Sequence, residues 1–214
     1  MEESLESKRS SSARAAEGPP QRNARGKAVS TIAHLTLAEY DRMVACGVFD
    51  RSPGRRLEFI RGEIREMTPI GSEHEVLVDR LTEWSFQAVP PGRVWVRVQN
   101  SIGLPALESA PEPDLAWVVR RDYTRGRPSS SDVLLVMEVS ETSLSYDQGD
   151  KADLYAEAGI ADYWVVNIPD RAVEVRRDPR SGRYQNLQVY RGDDVIRPLA
   201  LPEATLIAST LWSS

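Results

Sequence analysis

The 214-residue chain contains a single cysteine, Cys46, and only two histidines. One thiol cannot close an intrachain disulfide, so a reducing compartment, most simply the cytoplasm, is the natural expectation. Cys46 has no second cysteine or histidine cluster near it in sequence and reads as an inert residue of its helix. No window approaches the roughly 18 uncharged apolar residues of a membrane span, so no membrane partner is expected. The first ten residues, MEESLESKRS, lack the apolar core of a secretory signal. Basic excess is missing as well. The net charge is -5, which weighs against a tight, non-specific grip on phosphates.

What is present is ordinary for one folded domain with a sizeable core: 41% hydrophobic and 28% charged residues. Residues 1–30 differ from the rest. They are rich in Ser, Ala, Arg, Gly and Pro, and they hold six Lys/Arg against four Asp/Glu, leaving 21 against 28 for the remainder. With almost no large apolar side chain to bury, they read as a disordered leader. Their basic stretch Arg22 to Lys27 could touch nucleic acid, although such runs are more often simply solvated. One domain is expected over residues 31–214.

Local signals give the element order. Thr36 and Glu39 have capping-box spacing, Leu35 and Tyr40 that of a hydrophobic staple, and Gly47 ends the first helix. Arg56 to Ile60 and Glu63 to Met67, joined by Arg61-Gly62, predict a β-hairpin. Leu77, Leu81, Trp84 and Ala88 form the buried stripe of a second helix over about 73–88, with His74 on the same side. After Pro90-Pro91-Gly92 come strands at 94–98, 114–119 and 133–139. A helix follows at 148–158, stopped by Gly159, then strands at 163–166, 172–176 and 184–190. The order predicts an α/β fold, a mixed β-sheet flanked by helices, with a helix and hairpin before it.

The chemistry starts from an anomaly. Glu138 interrupts the apolar run VLLVMEV, and carboxylates are almost never buried without a partner. Asp114 opens the strand DLAWVV after Pro-Glu-Pro, and Pro113 suits a strand start because it has no N–H to donate. If the two strands are neighbours, the two acids converge and raise each other's pKa. A divalent cation removes that repulsion. Mg²⁺ (or Mn²⁺) suits one or two carboxylates completed by waters and phosphate oxygens, where it activates water for attack on a phosphodiester. Lys151 follows Glu138 by 13 residues; its ammonium could orient the water or steady the pentacovalent phosphate. The bland alternative is an exposed helix pair with Asp147, four residues earlier. His74 admits two readings of equal weight, a hydrogen-bonded core histidine or a residue of the site.

The stretches LTLAEYDRMVACGVFD, RLEFIRGEIREMTPIGSEHEVLVDRL, PEPDLAWVV, VMEVSETSLSYDQGDKADLYAEAGIADYWVVN and LALPEATL together resemble the Uma-type restriction endonuclease family, a branch of the PD-(D/E)xK superfamily. The resemblance covers about residues 34–208, and Glu138 to Trp164 is its most specific part. It implies a restriction-endonuclease-like fold and Mg²⁺-dependent phosphodiester hydrolysis, with DNA, duplex DNA first, as partner. On the superfamily pattern Asp114 matches the Asp of PD and Glu138 the acid of (D/E)xK, with the Val139 carbonyl also reaching the metal. The pattern's lysine is replaced by Ser140, and the resemblance implies that Lys151 takes its place. Glu58, Glu63 and His74 fall in the family's N-terminal motifs and are expected at the cleft rim or in support, as is Asp147 beside Lys151. Gln99 could approach Asp114 from the preceding strand. Cutting two strands takes two centres or two events, so a homodimer is one arrangement to expect. The competing reading is a catalytically inactive nuclease-fold module for nucleic-acid binding or protein interaction, which the serine and the acidic charge favour. A third reading, a structural ion pair in an unrelated enzyme, requires Asp114 and Glu138 to lie far apart.

Overall fold

A computed structural model describes residues 32–50, 55–67 and 71–213, of which those from His34 on belong to one compact unit, His34–Ser214. The leader expected over residues 1–30 lies outside the described residues.

Helix α1 spans Leu37–Ala45. The Thr36 hydroxyl accepts the Glu39 N–H at 3.2 Å and the Glu39 carboxylate accepts the Thr36 N–H at 2.8 Å. Two of the helix's otherwise orphaned donors are thereby satisfied. Cys46 is its exposed C-cap, and Gly47 turns the chain away at φ +69°. Tyr40 stacks on Phe59 at 4.6 Å, with Leu35 packed into the same cluster. Phe59 belongs to β1 (Leu57–Ile60), which pairs with β2 (Glu63–Glu66). Arg61 and Gly62 both have positive φ, 51° and 81°, as a two-residue turn of the right twist demands.

The main sheet contains β3 (Val94–Val98), β4 (Leu115–Val119), β5 (Val133–Ser140), β6 (Asp162–Asn167), β7 (Ala172–Arg180) and β8 (Arg183–Tyr190), side by side in that order. All neighbours are antiparallel except β5 and β6. A parallel pair cannot be closed by a tight turn and needs a crossover. The crossover is α3 (Leu144–Tyr146), a π-helical turn (Asp147–Lys151) and α4 (Ala152–Glu157), ended by Gly159 at φ +78°. A regular helix over 148–158 was the expectation from sequence. The helical segment instead starts at Leu144 and carries a π-turn, whose extra residue re-aims side chains and recurs at functional sites.

Helix α2 (Ser72–Ala88) covers one face of the sheet. Its Leu77 and Leu81 pack with Leu115, Trp117, Met137 and Trp164, and Trp84 stacks on Trp117 at 5.1 Å and Trp164 at 5.8 Å. The crossover covers the opposite face, where Leu154 and Tyr155 meet Ala116, Val136 and Val165. Strand β5 is thus clothed on both sides, which accounts for its nearly unbroken apolar run. A short hairpin of β9 (Val195–Ile196) and β10 (Leu206–Ile207) adds Ile196 and Leu206 to the α2-side core. Among the described residues no helix is long and apolar enough to cross a membrane.

Two glycines separate backbone strain from crowding. A Cβ on Gly159 would meet nothing within 4 Å, whereas one on Gly62 would lie 2.8 Å from the His34 Cβ and 2.9 Å from the Leu35 carbonyl oxygen. Gly159→Ala should therefore lose only the left-handed penalty, about 1–2 kcal/mol. Gly62→Ala should lose a further 1–3 kcal/mol or so from overpacking. Urea unfolding of the two variants side by side checks this; equal losses would mean that the hairpin relaxes without resistance.

Candidate active site

Antiparallel pairing of β4 with β5 sets Leu115 opposite Met137. The start of one strand and the end of the other therefore meet at one edge of the sheet. Asp114, just before β4, and Glu138, near the end of β5, are joined there although 24 residues apart in sequence. The Asp114 N–H donates to Glu138 Oε2 at 3.2 Å, and the Val139 N–H donates to Asp114 Oδ2 at 3.0 Å. The far-apart arrangement required by an unrelated structural ion pair is thus absent. Glu138 points to the crossover side of the sheet, because its neighbours Met137 and Val139 belong to the α2-side core and side chains alternate.

The π-turn delivers Lys151 to the same point. Its Nζ lies 3.1 Å from Glu138 Oε1, 3.3 Å from Glu58 Oε2 and 3.9 Å from Asp147 Oδ1. All four side chains are buried, so Asp147 and Lys151 are not the exposed helix pair of the bland reading. Asp147 is held by hydroxyls instead: Ser140 Oγ donates to it at 2.7 Å and Ser143 Oγ at 2.6 Å. Tyr155 donates its hydroxyl to Glu138 Oε1 at 2.8 Å, and Tyr146 donates to Glu58 Oε1 at 3.2 Å.

His74, in the first turn of α2, is buried with Nε2 3.1 Å from Asp114 Oδ2. Its two sequence readings merge: it is a hydrogen-bonded core histidine whose partner is a site carboxylate. Gln99 donates to Asp114 Oδ1 at 3.4 Å from a left-handed backbone, φ +49°. Glu63 stays apart. It is partly exposed, faces Arg65 at 3.3 Å and His34 at 3.9 Å, and does not line the cleft. Glu58 is the residue sequence reasoning undervalued. An acid in the apolar strand LEFI carries the same signal as Glu138 in VLLVMEV. Tyr146, Tyr155 and the cleft-lining Arg56 and Arg65 gave no such signal.

Glu58, His74, Asp114, Glu138, Asp147 and Lys151 line a cleft of roughly 280 Å³. Four buried carboxylates, Glu58, Asp114, Glu138 and Asp147, surround one buried ammonium. Burial pushes the Glu138 carboxyl up to about 8, against the pull of Lys151 and with the charges of Asp147, Asp114 and Glu58 adding to the rise. Burial also raises Asp147, which Lys151 and the two serines only partly offset. For Asp114 burial is outweighed by the His74 hydrogen bond and charge and by the Val139 amide, so its carboxyl lies below the ordinary range. Burial works against the Lys151 charge, but the surrounding carboxylates win and hold it well above the ordinary lysine value.

The donor set fits a hard divalent cation. It offers carboxylate oxygens in excess of cationic partners, and Glu58 Oε2, though ion-paired with Lys151, accepts no hydrogen bond among the described residues. No three His, Cys, Asp or Glu side chains among those residues form a ready-made cage. Waters and phosphate oxygens would therefore have to complete the shell of any Mg²⁺ held there.

The raised Glu138 carboxyl has a measurable sign. Between its ordinary value of 4.5 and about 8 the metal-free native state keeps a proton that the unfolded chain releases, so stability falls as pH rises through that window. Wild type in chelator should lose melting temperature relative to Glu138→Gln from pH 5 to pH 8. A gap between the two that does not change with pH would show Glu138 ionised throughout.

The family model Uma2, described as "Putative restriction endonuclease", matches residues 37–209. Among curated proteins none matches the chain. Among solved structures, the crystal structure of "a putative nuclease belonging to DUF820 from Anabaena variabilis" aligns with a TM-score of 0.64 at 16% identity, covering 83% of this chain and 97% of that one. At that identity the likeness is one of fold, a mixed sheet with flanking helices. The match spans every element from α1 through β10, including Asp114, Glu138 and Lys151, and by it the chain belongs to the Uma2 family.

Proposed function

We propose that the protein is a divalent-metal-dependent endonuclease that hydrolyses phosphodiester bonds in DNA. The observation that carries this reading is the meeting of Asp114, Glu138 and Lys151 in one cleft, reached from two strands and a π-turn. Asp114, Glu138 and the Val139 carbonyl would hold Mg²⁺ or Mn²⁺. When bound, such an ion supplies charge for the phosphoryl oxygens and acidifies a water. The chain's own residues do the rest. His74 and the Val139 amide fix one oxygen of Asp114, Gln99 approaches the other, and Tyr155 fixes one oxygen of Glu138. Lys151 keeps a full positive charge in the cleft, able to orient a water's lone pair or to balance charge that builds on the phosphate. Asp147, tied by Ser140 and Ser143, and Glu58, tied by Tyr146, hold that ammonium in place.

The serine at the pattern's lysine position favours the inactive-module reading on sequence alone. Here Ser140 contributes a hydrogen bond to Asp147, and the ammonium comes from Lys151, within 3.1 Å of Glu138. The geometry therefore supports hydrolysis over the inactive module.

Asp114→Ala is expected to abolish Mg²⁺-dependent cleavage of duplex DNA and to remove the stabilisation of the fold by Mn²⁺. His74→Ala, acting through Asp114, should weaken Mn²⁺ binding by about 10–100-fold, the usual consequence of losing a group that orients a ligand. Cleavage assays beside calorimetric Mn²⁺ titrations test both. Wild-type protein that neither binds Mn²⁺ nor cuts would instead be a non-hydrolytic module.

A further inference from the structure

Three side chains share the face of the β1–β2 hairpin that looks into the cleft. Glu58 lies on β1, and Arg65 is its register partner on β2. Arg56 precedes Glu58 by two residues, hence on the same side of an extended chain. Its carbonyl accepts the Met67 N–H at 2.8 Å, which continues the ladder past Leu57. All three line the cleft with Asp114, Glu138 and Lys151.

Two of the three are engaged. Glu58 pairs with Lys151 and accepts from Tyr146. Arg65 contacts Glu63 at 3.3 Å and Asp150 at 3.5 Å, and its guanidinium lies over the Tyr146 ring at 5.3 Å. Arg56 is different. Its Nη1 and Nη2 are both withdrawn from solvent, and neither has a hydrogen-bond partner among the described residues. Buried donors left unmade are unfavourable, more so on a permanent cation. Arg56 stands near enough to Glu112 for its charge to pull that carboxyl down against burial, yet its Nη1 and Nη2 donate to no carboxylate among the described residues, Glu58 and Glu66 of the cleft wall included. The two terminal nitrogens of a guanidinium form the fork that takes two oxygens of a phosphate at once. The site also poses an electrostatic problem that Arg56 answers. A phosphodiester anion must come to rest beside four carboxylates in a chain of net charge -5.

We propose that Arg56 is the phosphate anchor of this cleft, its unbonded guanidinium fork turning out of the wall to take the non-bridging oxygens of a substrate phosphodiester. As to substrate, the proposal rests on the endonuclease reading above. It makes Arg56 a substrate-binding residue distinct from the metal ligands, and it locates the attraction for a polyanion in the hairpin rather than in overall charge.

The test uses the full chain as wild type, Arg56→Gln and Arg56→Lys. One arm measures binding of a fluorescein-labelled duplex oligonucleotide with Ca²⁺ in place of Mg²⁺ across a salt series; the other measures the melting shift caused by inorganic phosphate. Arg56→Gln is expected to bind the duplex about 10-fold more weakly, the worth of a charged hydrogen-bonded contact. Its slope of log affinity against log salt should be shallower by about 0.9, one phosphate contact, and its phosphate-induced shift should vanish. Arg56→Lys should keep the slope and lose part of the affinity, because an ammonium retains the charge without the fork. An Arg56→Gln protein with wild-type slope and wild-type phosphate shift overturns the anchor, whether or not the wild type cuts DNA. A wild type that shows a phosphate shift, lost in Arg56→Gln, yet cleaves nothing leaves the anchor standing and removes the endonuclease reading. Should Arg56→Gln fail to fold, Arg56→Lys decides: weaker binding at unchanged slope supports the anchor, and unaltered binding overturns it.

Discussion

The cleft is organised around the ammonium of Lys151. It lies within 4 Å of Glu58, Glu138 and Asp147, and all of these are removed from water. Isolated carboxylates do not survive such burial; they take up a proton or expel themselves to solvent. Removing one member of a buried ion pair typically costs about 3–5 kcal/mol, because its partners are left uncompensated. One cation therefore lets the acids share a small space. It does so incompletely, and the raised carboxyl of Glu138 is the remaining imbalance. An incompletely neutralised nest of hard oxygens is what a divalent ion is suited to complete.

Much of this was legible in the sequence, for identifiable reasons. The α1 cap and the Arg61-Gly62 turn are local features, written within four consecutive residues and formed as expected. Helix α2 and the strands follow from apolar periodicity. Glu138 stood out because a charge in VLLVMEV conflicts with its surroundings. Glu58 in LEFI made the same conflict more quietly, in a strand too short for the pattern to assert itself. Elements with two residues per strand, β9 and β10, have no period to read. Glu63 was placed near the site by motif; it shares a face of β2 with Arg65 but stands at the turn end of the hairpin, where it meets Arg65 and His34 and lies outside the cleft.

The π-turn had no signature in sequence. DQGDK looks like helix with one weak residue, Gly149, and nothing in residue type announces an extra residue in the turn. Its shape is set by tertiary contacts: Asp147 bound by Ser140 and Ser143, the Asp147 carbonyl accepting from Tyr163, and Gln148 donating to Glu174 on β7. Propensity offers no view of contacts made with residues so far along the chain. Lys151 was therefore suggested by its spacing from Glu138 and by resemblance, with Asp147 expected beside it, whereas its contact with Glu58 was not inferable.

That turn bears on how chains of this kind are compared. A π-turn is a helix with one residue too many, a difference of length and not of composition. Aligned column by column, Ser140 faces a lysine and the chain looks like a degenerate copy. In space an ammonium does sit beside Glu138, supplied by Lys151 from the next element, and Ser140 donates to Asp147. Matched letters alone would therefore miss an ammonium that a neighbouring element supplies beside the same carboxylate.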